Sequence, residues 1–269
     1  MGTKTYSPLV SVLLQAWLPV TLILLWFVAS ASSTSVFWPP LTEILGTMGQ
    51  WASSGGLWSD ALFSFGNYFL ALLLSLAIGL ALGTAIGLMP RVGLIMDPYL
   101  DFFRSLPNVV FVPIIILTLG IGREPKVFLI FIACVWPILL NCIVGVRSIQ
   151  PAIFEASRAY RIPLRLQIPK VVLAGALPQI AVGVRLAITI GIVMLVVSEM
   201  YGATEGVGYF ILQSGQRFQL AAAWAGTLLV GVIGWVFTSI YALAEHRLLR
   251  WNREQDAGPT TRPRKGARA

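Results

Sequence analysis

Residues 147–178, RSIQPAIFEASRAYRIPLRLQIPKVVLAGALP, form a polar and basic island in a sequence otherwise built of long apolar runs. One apolar run ends where the island begins, at 127–146, and another starts where it closes, at 178–200. A basic segment held between two such runs reads as a docking loop on the inner face of a membrane, because Lys and Arg accumulate in cytoplasmic loops. Within it, Pro151 suits the first turn of a helix, and 152–160 has helix-compatible composition, with Glu155 early and Arg158 later to match the macrodipole. Pro163 then ends that helix, since the residue before a proline is pushed out of the α region. A short helix, a break and a second short amphipathic piece make a compact knob that can pass force between a soluble partner and the membrane.

Working outward, 57% hydrophobic residues, 11% charged residues and a mean hydropathy of +0.81 define an all-α integral membrane protein. A helix rising about 1.5 Å per residue needs roughly 20 apolar residues to cross some 30 Å of hydrocarbon. Six runs are candidates, at 9–29, 61–89, 106–121, 127–146, 178–200 and 220–244. Hydropathy by itself leaves four, five or six open, because the third run is short and the fifth carries Arg185. Charge placement decides for six transmembrane helices with both termini cytoplasmic. Of the 19 Lys and Arg, all but Arg123, Lys126 and Arg217 then fall inside. The basic groups at 91–104 and 147–170 both belong inside, so an even number of spans separates them, and 106–121 must be a span, with Phe102 and Phe103 available to extend it. The predicted organisation is a short cytoplasmic N-terminus at 1–8, a six-helix transmembrane domain at 9–246 with its loop at 147–177, and a basic tail at 247–269. The polar composition of 252–269 predicts disorder and at most weak contact with anionic lipid.

Several function classes fall away. The net charge of +8 is accounted for by topology and the tail, so nucleic acid is not an expected partner. Cys134 and Cys142 lie about 12 Å apart along one helix and cannot pair with each other, so they are read as packing residues. His246 is the one histidine, beside Glu245 at the inner end of the last span, and no H-E-x-x-H is present, so neither a metal nor a cofactor is expected. An intramembrane hydrolase needs nucleophile and base at one depth, whereas His246 lies across the membrane from Ser198 and Ser214. No phosphate-binding G-x-x-x-x-G-K-[ST] occurs, so the chain carries no nucleotide site and is not expected to be an enzyme.

The first span reads as an uncleaved anchor. The outer loop at 30–60 holds Trp38, Trp51 and Trp58 and predicts a short helix on the outer leaflet after Pro39-Pro40, with Thr42 a candidate cap. Gly79, Gly83 and Gly87 recur every four residues and predict a helix-packing seam. Glu199, near the outer end of the fifth span, is read either as a gate or pathway group or as a structural hydrogen-bonding residue. Arg185, near the inner end, is expected to snorkel to the surface or to pair with the loop.

The loop also carries a resemblance. Glu155-Ala156-Ser157-Arg158-Ala159, Lys170-Val171-Val172-Leu173, Ala176-Leu177-Pro178 and Gly183-Val184-Arg185-Leu186-Ala187 resemble, at matching spacing, the EAA loop of ABC importer permeases. Ser198-Glu199-Met200, Gly202 and Gly206-Val207-Gly208-Tyr209 are similar to the nitrate, sulfonate and taurine branch of binding-protein-dependent permeases. The resemblance implies a type I ABC importer permease fold in a bacterial cytoplasmic membrane. It further implies two cytoplasmic ABC ATPases, a second permease copy and an external solute-binding protein as partners, and alternating access driven by ATP. The run from Glu155 through Ser157 to Arg161 would be the ATPase coupling element. In it Glu155 and Arg158 would supply polar or ionic contacts, and Ala156, Ala159 and Tyr160 a surface that fits a groove. Arg161, Pro169 and Ala174 depart from the family pattern, which usually has glycine at the first of these and proline at the last. Glycine there serves a left-handed helix end, so Ile162-Pro163 is expected to turn the chain instead. The implied cargo is a small anion such as a sulfonate, taurine or nitrate. The alternative is an ATP-independent secondary transporter using Glu199 for proton coupling, though no internal repeat is seen.

Overall fold

The computed structural model describes residues 8–251, so the N-terminal segment at 1–8 lies outside the described residues except for Pro8, and the basic tail at 247–269 beyond Trp251. The order is α1 Pro8–Ser30, α2 Leu41–Ser53, α3 Gly56–Leu88, α4 Pro90–Ser105, α5 Phe111–Leu119, α6 Arg123–Arg147, α7 Pro151–Ala159, α8 Leu164–Gln167, α9 Ala174–Gly202, α10 Val207–Gln216 and α11 Leu220–Leu248. A 3-10 turn, Asn108–Val110, leads into α5, and a π-helical segment, Ile168–Leu173, joins α8 to α9.

The centre is α6, flanked on one side by α3 and on the other by α9. Small residues allow that approach, since in lipid no hydrophobic force separates one apolar surface from another and close packing must hold the helices. A Cβ at Gly79 would stand 2.9 Å from Ile138 Cγ2, at Gly83 2.7 Å from Cys142 Cβ, and at Gly87 2.7 Å from Val146 Cβ. On the opposite side of α6, a Cβ at Gly183 would meet the Pro137 carbonyl oxygen at 2.6 Å, and one at Gly191 would meet Cys134 Sγ at 2.6 Å. Both cysteines are buried and free.

Polar side chains cross these seams. Ser75 Oγ donates to the Phe131 carbonyl at 3.1 Å, Tyr68 OH to the Ile188 carbonyl at 3.0 Å, and Gln179 Nε2 to Asn141 Oδ1 at 2.8 Å. Tyr241 OH on α11 donates to the Ala181 carbonyl at 2.8 Å. Away from the seams the helices expose Leu73, Val193, Trp235 and many other large apolar side chains, as a bilayer-facing surface requires.

Among the described residues four helical stretches are each long and apolar enough to cross a membrane: α3, α6, the continuous run Leu164–Gly202, and α11. The run expected to form one span at 106–121 is different. Its helix α5 has nine residues and so reaches only about 14 Å. It is bent by 72° from α4, making a broken span or a re-entrant pair. Pro107 forces the bend, holding Leu106 extended at φ −75 and ψ 127.

The segment at 30–60 does contain a helix after Pro39-Pro40, and α2 buries one edge, Leu41, Ile44 and Trp51, while most of its other residues are exposed. Thr42 does not cap it. Pro40 occupies the N-cap, and the Leu41 N–H donates instead to Ser30 Oγ at 3.2 Å, from the end of α1. Trp26, Trp38 and Trp224 meet with ring centres 5.6–5.9 Å apart and tie α1 to α11.

Candidate functional site

Two sites stand at opposite ends of the bundle, about 37 Å apart along the 25 residues of α6. At the first, α6 stops at Arg147 and the chain turns through Gln150, extended at φ −61 and ψ 134, into Pro151 at the first position of α7. Phe154 packs on a cluster formed by Val146, Ile149, Val172 and Ala176, and Ser157 is buried, so one face of α7 is seated on the ends of α6 and α9. Glu155, Ala156, Arg158, Ala159, Tyr160 and Arg161 are exposed on the other. Arg147 Nη1 and Nη2 donate to Asp97 Oδ2 and Oδ1 at 3.3 and 3.1 Å, which fastens α4 to the C-terminal end of α6 beside the knob. Asp97 carried no signal in the sequence, because its partner is 50 residues away.

The end of α7 corrects the expected turn. Arg161 is left-handed, at φ +51. The Ile162 N–H donates to the Ser157 carbonyl at 3.0 Å and the Arg161 N–H to the Arg158 carbonyl at 2.9 Å, the paired bonds of a Schellman ending. Arginine therefore occupies the conformation that glycine favours, and Ile162-Pro163 follows the turn rather than replacing it. Pro169 is the second residue of the π-helical segment, where its missing N–H and its ring disfavour the regular i to i−4 ladder. Ala174 stays helical at φ −64 and ψ −44, so α9 begins without a further break.

At the other end, Glu199 is fully buried. Its Oε2 accepts from Ser64 Oγ at 2.9 Å and from the Gly208 N–H at 2.8 Å, and its Oε1 has no protein partner. Ser64 Oγ in turn accepts from the Val207 N–H at 2.9 Å, and Asp60 Oδ1 accepts from the Gly206 N–H at 2.9 Å. Asp60 also meets Trp51 Nε1 at 3.3 Å, and the Trp51 ring stacks on Phe210 with centres 3.8 Å apart. Three side chains of α3 and α9 thus receive the N–H groups that open α10. Gly206 must be glycine by geometry: it stands at φ +112, and a Cβ would lie 2.7 Å from the Glu199 carboxyl carbon. The sequence singled out Glu199 and the 206–208 run, but Asp60 and Ser64, four residues apart on one face of α3, went unread.

Arg185 neither points to the loop nor stands alone. Its Nη2 donates to Glu245 Oε2 at 2.6 Å, joining α9 to α11. Among the described residues no group of three or more His, Cys, Asp or Glu is placed to hold a metal.

The family model described as "Binding-protein-dependent transport system inner membrane component" matches residues 75–250. The chain belongs to this family. The permease is 32% identical over 253 residues to the putative aliphatic sulfonates transport permease protein SsuC of Bacillus subtilis (strain 168), covering 93% of this chain and 90% of that protein. It is 29% identical over 243 residues to the taurine transport system permease protein TauC of Escherichia coli (strain K12), covering 88% of each. In an inward-facing structure of the MetNI methionine ABC transporter, one chain superposes with a TM-score of 0.59 at 17% identity, over 75% of this chain and 96% of its own length, which establishes the fold alone.

This permease is therefore an inner-membrane, multi-pass subunit of an ABC importer and not itself an enzyme. It works with a separate ATPase and a solute-binding protein. The secondary-transporter alternative gives way to that membership.

Proposed function

We propose that this permease forms the translocation path for a small anion, an aliphatic sulfonate or taurine before others, with six crossings and both termini in the cytoplasm. Two copies pair, and two ATPases grip the two α7 knobs. The observation that carries the reading is the seating of α7: Phe154 and Ser157 hold it to the ends of α6 and α9, while Glu155, Ala156, Arg158, Ala159 and Tyr160 face outward. A helix anchored on two long spans transmits a push on its outer face into both of them. Glu155 and Arg158 also line a cleft of ≈ 620 Å³ between α7 and the inner end of α3, with Gly87, Arg147 and Leu164 on its other walls. This cleft offers an acid and a base to a partner side chain.

At the outer end, Glu199 acts as the pin of a gate, holding the start of α10 against α3 until the bundle rocks. The substrate class rests on the relatives named for aliphatic sulfonates and taurine.

The test is the double substitution Glu155→Ala with Arg158→Ala in the assembled transporter. Loss of substrate-stimulated ATP hydrolysis, with insertion and complex formation retained, is the expected result. Normal stimulation would remove the coupling role from α7.

A further inference from the structure

Between α3 and the first turns of α6 runs a cleft of ≈ 510 Å³, walled by Leu70, Leu74 and Ile78 of α3 and by Val127, Phe128 and Phe131 of α6. Leu70, Leu74, Ile78 and Phe128 are 39–42% exposed, so the cleft opens to the surroundings of the bundle rather than into its core. For a subunit of this family those surroundings are a bilayer. Arg123 and Glu124 line the same cleft. The 25 residues of α6 rise about 37 Å against roughly 30 Å of hydrocarbon, which sets its first two residues at a headgroup boundary. From Arg123 the cleft follows α6 for about 12 Å to Phe131, down into the hydrocarbon.

The two charges at its mouth are uncommitted. Arg123 Nε donates to Asn67 Oδ1 at 2.7 Å, and Asn67 is buried, so the guanidinium is steered while its terminal nitrogens stay available. Arg123 and Glu124 are both exposed, and neither forms an ion pair among the described residues. Lys126 is buried with its Nζ 4.6 Å from the centre of the Phe63 ring and is not one of the walls. An apolar cleft selects nothing by itself in a membrane, because lipid tails are as apolar as leucine and gain little by changing neighbours. Selection must come from the mouth, where a charge-assisted hydrogen bond is strong in the low dielectric beside the hydrocarbon.

We infer that this cleft seats an acyl chain of a phospholipid whose headgroup carries both a phosphate and a primary amine, the phosphate on Arg123 and the ammonium on Glu124. The arginine fork fits two phosphate oxygens at once. The adjacent carboxylate accepts from an ammonium and repels a purely anionic headgroup. Phosphatidylethanolamine therefore satisfies both residues, and phosphatidylglycerol satisfies Arg123 only. The seated lipid bridges α3 and α6 outside their protein seam, whatever the cargo of the transporter.

The test is native mass spectrometry of the permease–ATPase complex, delipidated in mild detergent and titrated with phosphatidylethanolamine or with phosphatidylglycerol. Saturable retention is expected, with the ethanolamine lipid held about tenfold more tightly, the scale of one charge-assisted hydrogen bond. Glu124→Gln should abolish that preference by weakening the ethanolamine lipid alone. Arg123→Gln should weaken both lipids, and Arg123→Lys, which keeps the charge without the fork, should fall between. Leu74→Trp fills the cleft and should remove saturable retention of both lipids in a complex that still assembles. Should that variant fail to insert, the response to Glu124→Gln decides alone. Equal or reversed affinities in the unmodified complex, no saturable retention, a preference that survives Glu124→Gln, or retention that survives Leu74→Trp would overturn the inference. Loss of permease pairing in an inserted Leu74→Trp variant would overturn it too, by showing that a second copy covers this face.

Discussion

At Arg161 the backbone stands at φ +51, a conformation that costs a residue with a Cβ roughly 1–2 kcal/mol. Arg161→Gly should leave the Schellman ending of α7 in place and raise the thermal midpoint of the complex modestly, because glycine's greater freedom in the unfolded chain offsets part of the gain. Arg161→Val should lower the midpoint, since a β-branched side chain tolerates this region worst. Equal midpoints for the two variants, measured by thermal unfolding in detergent, would show that the ending is not held this way. Glu199 poses the complementary case of a buried carboxylate with two donors. Glu199→Ala strands the Ser64 hydroxyl and the Gly208 N–H and should cost about 1–3 kcal/mol, whereas Glu199→Gln keeps an acceptor and should cost less. Gly206→Ala should be at least as damaging as Glu199→Ala, because its Cβ meets the same carboxyl group in a strained conformation. Denaturant or thermal midpoints of the three variants, compared in one lipid mixture, check that order.

Among elements, the α3–α6 seam leaves little freedom. A Cβ at Gly83 would approach both Cys142 Cβ at 2.7 Å and the Leu139 carbonyl oxygen at 2.9 Å, and backbone cannot move aside as a side-chain tip can. Gly83→Ala should therefore destabilise by about 1–3 kcal/mol, the usual scale of overpacking. Gly231 in α11 has nothing within 4 Å of its would-be Cβ, so Gly231→Ala should be neutral or stabilising by up to about 1 kcal/mol through helix propensity. Similar melting shifts for both would refute the distinction. The seam was legible in advance because glycines four apart fall on one helix face. The break between α4 and α5 was less so. An apolar run reports how much surface shuns water but not whether Pro107 and the left-handed Gly120 divide it into shorter, bent pieces.

For the whole molecule, the proposed orientation places α7 and the start of α10 on opposite sides of the membrane. In a background lacking Cys134 and Cys142, a cysteine replacing exposed Tyr160 should react with a membrane-impermeant thiol reagent only from the cytoplasmic side, and one replacing exposed Glu205 only from the outside. Reaction of both from one side would overturn the topology.

The sequence by itself determined the membrane class, the knob between two long helices and the glycine seam. Each of these is written in composition or in local period, which report solvent preference and helix face directly. The tertiary structure decided what touches what: Arg185 with Glu245, Arg147 with Asp97, Ser30 capping α2, and Asp60, Ser64 and Glu199 receiving the N–H groups that open α10. These pairings join residues from 9 to 146 positions apart, and a polar side chain carries no local mark of the partner that folding will bring to it.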